Sequence, residues 1–345
     1  MKWIAFLILC SLSTVSAQEM YYFTTKDSVH VGVKKGNQVI VPLEKHRITY
    51  YIDFNEPITT PIFELPGSFV NKPFSKEQVA TPVNTIYNLQ GKPLYYTLLL
   101  DNGSDYYQEN VQRIVSLDTG KVGFGNDEGT IVIKPEWDFV APFNYGYAEV
   151  MNDVKKQYLD EEHWSVVAKS AHSFSGYINK KGQIVKPYTH RKHPKDYMIS
   201  ETEFLPYPFE YAKKEEMILK DFKKYYNVLN NISLSNLSTD GTKEEASLQF
   251  EIIRSPSKYF PYYKILAYRF QRVEDSFTFL YDEKEQSFYY IEYPFHISNE
   301  TLVPINNYII NRLADICEAY KNPTYERQFT FDACKMYNEW SIDSK

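Results

Sequence analysis

The chain has 345 residues, 43% of them hydrophobic, with 38 basic and 44 acidic residues giving a formal net charge of −6. That length allows two or three domains with cores of their own, and the mildly acidic balance argues against a polyanion as main partner, so no nucleic acid is expected. Aromatic residues make up 17%, with 31 tyrosines among them, a composition that suits ring-packed strands and equally an aromatic binding surface.

The chain opens with Met1 and Lys2, runs apolar through WIAFLILC and reaches Val15, Ser16 and Ala17 before Gln18. A short basic start, an apolar run and a small-residue cleavage site are the pattern of a signal peptide over residues 1–17, cut after Ala17. A buried N-terminal segment is the competing reading, but SLSTVSA is poor core material, and lipidation at Cys10 is disfavoured by Leu9 before it. No later stretch reaches the roughly 18 apolar residues that a membrane-crossing helix needs. The expectation is a secreted or periplasmic protein, with envelope association as a variant and no transmembrane segment after signal cleavage.

Residues 18–83 read as an N-terminal β segment carrying a faint repeat trace, VGVKKGNQVIVP at 31–42. Ile86-Tyr87, a turn at Asn88 to Gly91 and Leu94-Tyr95-Tyr96 form a clearer copy. DNGSDYYQENVQRIV at 101–115 extends it if Tyr107 takes the place of Phe143 and Asn110 that of Gly146. The best copy is KVGFGNDEGTIVIKPEWDFVAPFNYGYAEV at 121–150, and SGYINKKGQIVKP at 175–187 echoes it. In both, Asn stands three residues before Gly and another Gly six before it, so each reads as strand, turn, strand. Small hairpins of this kind cannot bury a face alone and must stack on their neighbours.

Gly123-Phe124, Gly129, Ile131-Val132-Ile133, Pro135, Phe143, Gly146 and Ala148, with Gly176-Tyr177, Gly182 and Ile184-Val185, resemble the WG β-repeat family over roughly residues 84–190. The family's Trp before Gly is Val122 in one copy and Ser175 in the other. The resemblance implies a repetitive β scaffold and no common catalytic set.

After His190 the pattern changes. A helix is predicted around residues 211–230 from Ile218, Phe222, Tyr225 and Leu229, then a loop at 230–241, with strands at 247–254, 262–274, 276–282 and 286–293. Ile305, Ile309, Leu313, Ile316, Cys317 and Tyr320 place a second helix after Pro304. The fold expected is mostly β: stacked β-hairpin repeats (84–196) followed by a smaller α+β domain with an antiparallel sheet (197–345).

Candidate chemistry is sparse. His190 and His193, near Tyr188, Lys192 and Asp196, could supply a metal site or a base but lack a converging third ligand. Asp160-Glu161-Glu162-His163-Trp164 lies in an insertion between copies, where a solvated loop is the better reading than acid-base chemistry. Asp101, Asp105 and Glu109 do not follow calcium-loop spacing. Gly123, Gly125 and Gly129 lack a Walker ending and precede a β run. No catalytic, metal or cofactor residue is assigned, and no cofactor is expected. Asn102, Asn231, Asn236 and Asn299 stand in glycosylation sequons, which a bacterial origin would make incidental.

Among the aromatics, Trp137, Phe139, Phe143, Tyr145 and Tyr147 either pack the repeat core or face a ligand, with Trp137, Tyr145 and Tyr147 the candidates for ligand binding. Cys317 and Cys334, the cysteines left after cleavage at Ala17, are expected to form a disulfide, against the alternative of two buried thiols. The function expected is a non-enzymatic interaction or ligand-binding module whose partner is a protein or a cell-envelope glycan. The alternative is an extracytoplasmic hydrolase with its active site in the C-terminal domain and the repeats as a targeting module.

Overall fold

Three turns of one design organise the β architecture. Asn126 accepts the amides of Glu128 and Thr130 on its side-chain oxygen (3.2 and 2.8 Å). Asn179 does the same for Lys181 and Gln183, and Asn88 for Gln90 and Lys92, all at 3.0 Å. The glycine three residues on, Gly129, Gly182 or Gly91, closes each turn at φ +86°, +75° or +73°. The asparagine amide stands in for a backbone carbonyl, and glycine occupies the left-handed region without a Cβ penalty.

The computed structural model describes residues 19–48, 52–66, 83–100, 103–160, 163–235, 237–292, 302–321 and 328–343. The signal-like residues 1–17 with Cys10, and Asp101, Asn102, Glu161, Glu162, Asn236 and Asn299, lie outside them. The chain divides into two compact units, residues 1–104 and 105–345.

In the first unit, Met20–Thr24, His30–Lys35 and Gln38–Arg47 form an antiparallel sheet over Val31, Val33 and Val41. Ile62–Leu65, Val83–Asn88 and Pro93–Leu100 form a second antiparallel run. Buried His46 joins the Pro66 carbonyl at 2.7 Å to the Tyr87 hydroxyl at 2.8 Å.

In the second unit, Val111–Val115 pairs with Val122–Asn126, which turns into Ile131–Trp137. Tyr147–Asn152 likewise pairs with Phe174–Asn179, which turns into Ile184–Val185. The register repeats: Val111 stands opposite Asn126, Tyr147 opposite Asn179 and, in the first unit, Ile62 opposite Asn88. The strand that ends one copy is therefore the ladder partner of the strand that opens the next, so neighbouring copies satisfy each other's backbone.

The C-terminal part is an antiparallel sheet of five strands in chain order: Gln249–Arg254, Tyr262–Arg269, Arg272–Asp282, Ser287–Ile291 and Leu302–Pro304. Helices α1 (Lys213–Phe222), α2 (Tyr226–Leu234), α3 (Ile305–Ala319) and α4 (Ala333–Asp343) accompany it. Side chains alternate between the faces of a strand. Phe250, Ile252, Ile265 and Phe279 join a core with Phe222, Leu229, Ile309 and Leu313 of the helices. Leu266 and Tyr268 face the other way, into a cluster with Tyr145. With both faces covered, the strands need an almost unbroken apolar sequence.

The chain is mostly β, with repeat hairpins and an antiparallel α+β region. Two local expectations need correction. The segment read as a loop from residue 230 continues as α2 to Leu234, because Asn230 donates to the Tyr226 carbonyl (2.9 Å) and accepts from the Leu248 amide, while Ile232 and Leu234 are buried. The strand expected over 262–274 reverses at Phe270-Gln271 (φ +49° and +58°), a turn without the usual glycine or asparagine. The insertion between copies is a β-hairpin, Val154–Tyr158 paired with Trp164–Ala168, and Asp160 and His163 are exposed between its strands, as the solvated-loop reading of that stretch expects. Helix α4 carries too weak an apolar stripe to be read from sequence.

Candidate functional site

Paired left-handed residues mark corresponding places in successive copies. Glu109-Asn110 (φ +50°, +69°) closes the bridge between Gln108 and Val111, and Tyr145-Gly146 (φ +52°, +76°) that between Asn144 and Tyr147. Bulky residues in this region cost free energy unless their surroundings hold them. Here the surroundings do.

The Glu109 carboxylate, buried, accepts the Gly146 amide at 3.0 and 3.1 Å and the Tyr268 hydroxyl at 2.8 Å, with the Lys180 ammonium 3.1 Å away. Tyr145 is buried edge-on to Tyr268 and Phe209 with ring centroids 5.2 and 5.3 Å apart, and its hydroxyl reaches the Lys195 carbonyl and the Gln249 side chain at 3.1 and 3.0 Å. Buried Glu251 accepts from Lys195 (2.8 Å), Tyr207 (2.6 Å) and Tyr211 (2.5 Å). The third left-handed pair joins this group, since Asn144 donates to the Gln271 carbonyl at 2.8 Å and Gln271 donates to the Asp196 carbonyl at 2.7 Å.

Burial raises the Tyr145, Tyr207, Tyr211 and Tyr268 phenols above their ordinary value, with the carboxylates of Glu251 or Glu109 adding to it. Burial pushes the Lys180 ammonium down and Glu109 opposes it. Each buried carboxylate has a cation and several donors, the condition under which such a charge is tolerated. This closed network fastens the repeats to one face of the α+β sheet.

The three aromatic candidates lie inside. Trp137 is buried beside Phe174, Tyr145 is in the network just described, and Tyr147 is buried with its hydroxyl on the Pro206 carbonyl at 2.6 Å. None presents a ring face to a ligand. Phe143 is likewise buried, 4.7 Å from Phe124.

The polar candidates separate. Asp196, buried, accepts the amides of Lys192 and His193 at 2.7 Å and of Tyr207 at 2.8 Å. Burial pushes its carboxyl up, but these amides and the Tyr188 hydroxyl outweigh that and hold it low. It shapes the His190–His193 loop, whose histidines are exposed. Asp160 and His163 pair at 2.9 Å on the surface. Asp105 is claimed by the Arg113 guanidinium, so it and Glu109 serve different cations. Gly123 has a packing reason, since a Cβ there would lie 2.3 Å from the Ile133 carbonyl oxygen. Among the described residues no group of three or more His, Cys, Asp or Glu is placed to hold a metal.

A cleft of about 240 Å³ opens between the repeats and the sheet edge. Its charges are tied up: Arg254 bridges Asp127 and Glu128 and lies over Phe260 at 4.0 Å, and Ser257 donates to Glu128. Nearby, burial lowers Lys264 to about 8 while Asp127 opposes the shift. The sulfurs of Cys317 and Cys334 are at bonding distance, with Cα atoms 4.9 Å apart, joining the end of α3 to the start of α4.

The inserted hairpin is the distinctive surface feature. Tyr158 stands opposite Trp164, and Tyr158, Leu159 and Trp164 are 53%, 70% and 41% exposed. The Lys156 ammonium lies 4.0 Å over the Trp164 ring, whose edge meets Phe139 at 6.3 Å. The sequence named Trp164 only as a neighbour of acidic residues. Its place opposite Tyr158 depends on a hairpin register that no glycine or asparagine announces.

Comparison with known families matches residues 123–155 to the WG containing repeat. The matched segment contains the Asn126 turn, the Tyr145-Gly146 turn and the first strand residues of the inserted hairpin. No curated protein and no solved structure matches the chain.

Proposed function

We propose that this chain is an exported, non-enzymatic interaction module in which WG-like repeats hold out the Val154–Ala168 hairpin as the contact for a protein or a cell-envelope glycan. The observation that carries the reading is the exposure of Tyr158, Leu159 and Trp164 together on one arm. The aromatic side chains inside the repeats are committed to packing, while this arm is paired only within itself among the described strands. Clustered exposed apolar groups on an otherwise polar surface favour contact with a partner. A ring with a lysine beside it offers stacking and a charge to sugars and polypeptides alike.

The test compares the parent with a Trp164→Ala, Leu159→Ser double variant, checked for unchanged melting, in binding to purified envelope glycans and envelope proteins. The parent should retain a component that the variant loses; equal retention by both overturns the arm as contact. Export is tested by N-terminal sequencing of protein recovered outside the cytoplasm, which should begin at Gln18. An intact Met1 start on protein confined to the cytoplasm overturns it.

A further inference from the structure

A second cavity, of about 530 Å³, lies within the α+β region, away from the arm and from the tyrosine network. It opens where the end of α1, the turn before Ser287–Ile291 and the start of α3 meet. Tyr225, Tyr281 and Phe288 line it, Phe288 having its ring 4.8 Å from Tyr281 and 5.8 Å from Tyr225. Its size falls in the range of pockets for small organic ligands, roughly 300–1,000 Å³.

The polar groups narrow the ligand. Asp221 and Lys224 line the same cavity one helical turn apart, and among the described residues neither takes part in an ion pair. Both are exposed, while Tyr225 and Phe288 are buried. The Lys224 ammonium lies 4.9 Å over the Tyr225 ring, which keeps it on the aromatic wall. Asp221 is close enough to Tyr281 to help burial hold that phenol protonated.

An anion alone would meet the Asp221 carboxylate, and a cation alone the Lys224 ammonium. A neutral sugar would use neither charge. A zwitterion with an apolar group satisfies the whole set. We propose that this cavity binds short peptides with free ends, the α-ammonium at Asp221, the α-carboxylate at Lys224 and an apolar side chain against Tyr225 and Phe288. Cβ atoms one turn apart stand about 5–6 Å from each other, and two extended residues span up to about 7 Å. A dipeptide is thus the shortest ligand whose ends bracket the two charges. This site is independent of the arm and goes beyond the interaction reading.

Isothermal titration calorimetry on the full mature chain tests it with the dipeptide Leu-Phe, its N-acetyl form and its C-terminal amide. Leu-Phe should bind, and each blocked form about tenfold or more weakly, the loss expected when a charge-assisted contact is removed. Asp221→Asn should abolish the preference for a free amine, and Lys224→Gln the preference for a free carboxylate, with melting unchanged because both side chains are exposed. Trp164→Ala should leave the affinity as it was, so failure of the arm and failure of the cavity read out separately. No heat with millimolar Leu-Phe, equal binding of the three ligands, or the same preferences in both charge variants would each overturn the proposal.

Discussion

The two kinds of turn in each repeat are held in opposite ways. The Asn126 and Asn179 turns set their own backbone shape, since an asparagine side chain accepts two amides of the turn and a glycine takes its left-handed position. The Glu109-Asn110 and Tyr145-Gly146 turns put large side chains in the left-handed region and draw their support from Tyr268, Lys180 and Gln249, far away in sequence. A turn can thus be encoded locally, or imposed by the partner it is packed against. Damage to the first kind should stay local. Damage to the second should loosen the repeats from the sheet.

The largest effect should come from Glu109→Ala, which leaves the Tyr268 hydroxyl and the Gly146 amide without their acceptor and the Lys180 ammonium without its counter-ion. Removing one partner of a buried pair costs about 3–5 kcal/mol, read as a lower urea midpoint. Trp137→Ala should cost a similar ~3–5 kcal/mol by leaving a cavity in the repeat core. A shift below about 1 kcal/mol in the Glu109 variant would show the turn to be self-supporting after all.

Next in size is the Cys317–Cys334 link. Opening its 17-residue separation should remove about 3 kcal/mol by the chain-entropy estimate. Unfolding of the Cys317→Ser, Cys334→Ser double variant measures it. Alkylation of the unreduced protein should find no free thiol at either position.

Alkaline titration probes the network without mutation. The network phenols have folded values raised above 10.0, so their stabilisation is complete below 10.0 and is lost as pH rises above it. Lys264 has the opposite sign: its folded value is lowered from 10.5 to about 8, so the folded state releases the proton first and stability gains as pH rises from about 8 to 10.5. Unfolding free energy should therefore climb mildly above pH 8 and fall beyond pH 10. Lys264→Met should flatten the climb, and Tyr268→Phe should soften the fall.

Gly182→Ala should cost about 1–2 kcal/mol, the penalty for a side chain in the left-handed region, because Gly182 has space around it and only its φ of +75° resists the change. Asn179→Ala should cost about 1 kcal/mol for its lost turn bonds. Trp164→Ala should shift stability by no more than about 0.5 kcal/mol, as an exposed position does, while removing partner binding. Melting curves rank all three.

What was legible in the sequence follows the same division. The Asn-x-x-Gly turns, the apolar stripe of α3 and the cysteine pair carry their cause within a few residues, so they could be read. Phe270-Gln271 could not, because its conformation depends on Asn144 and Met198 holding Gln271 from the repeat side. Glu109 and Glu251 look like ordinary surface acids until Tyr268, Tyr207 and Tyr211 are brought around them. A weak signal existed: Glu251 interrupts the apolar run Phe250 to Ile253, and Glu109 occupies the repeat position that Tyr145 fills in the next copy. Trp137, Tyr145 and Tyr147 stand out in the sequence only as aromatics, and the fold uses that property for packing.

The shared register also determines where the chain tolerates change. Between Val115 and Val122 only a tight connection joins a closing strand to the next opening one, whereas between Asn152 and Phe174 the same junction accommodates the whole arm. The ladder on either side is the same in both cases. Material grafted at this junction need not disturb the scaffold, so copies of one plan can diverge in what they display while keeping the way they join.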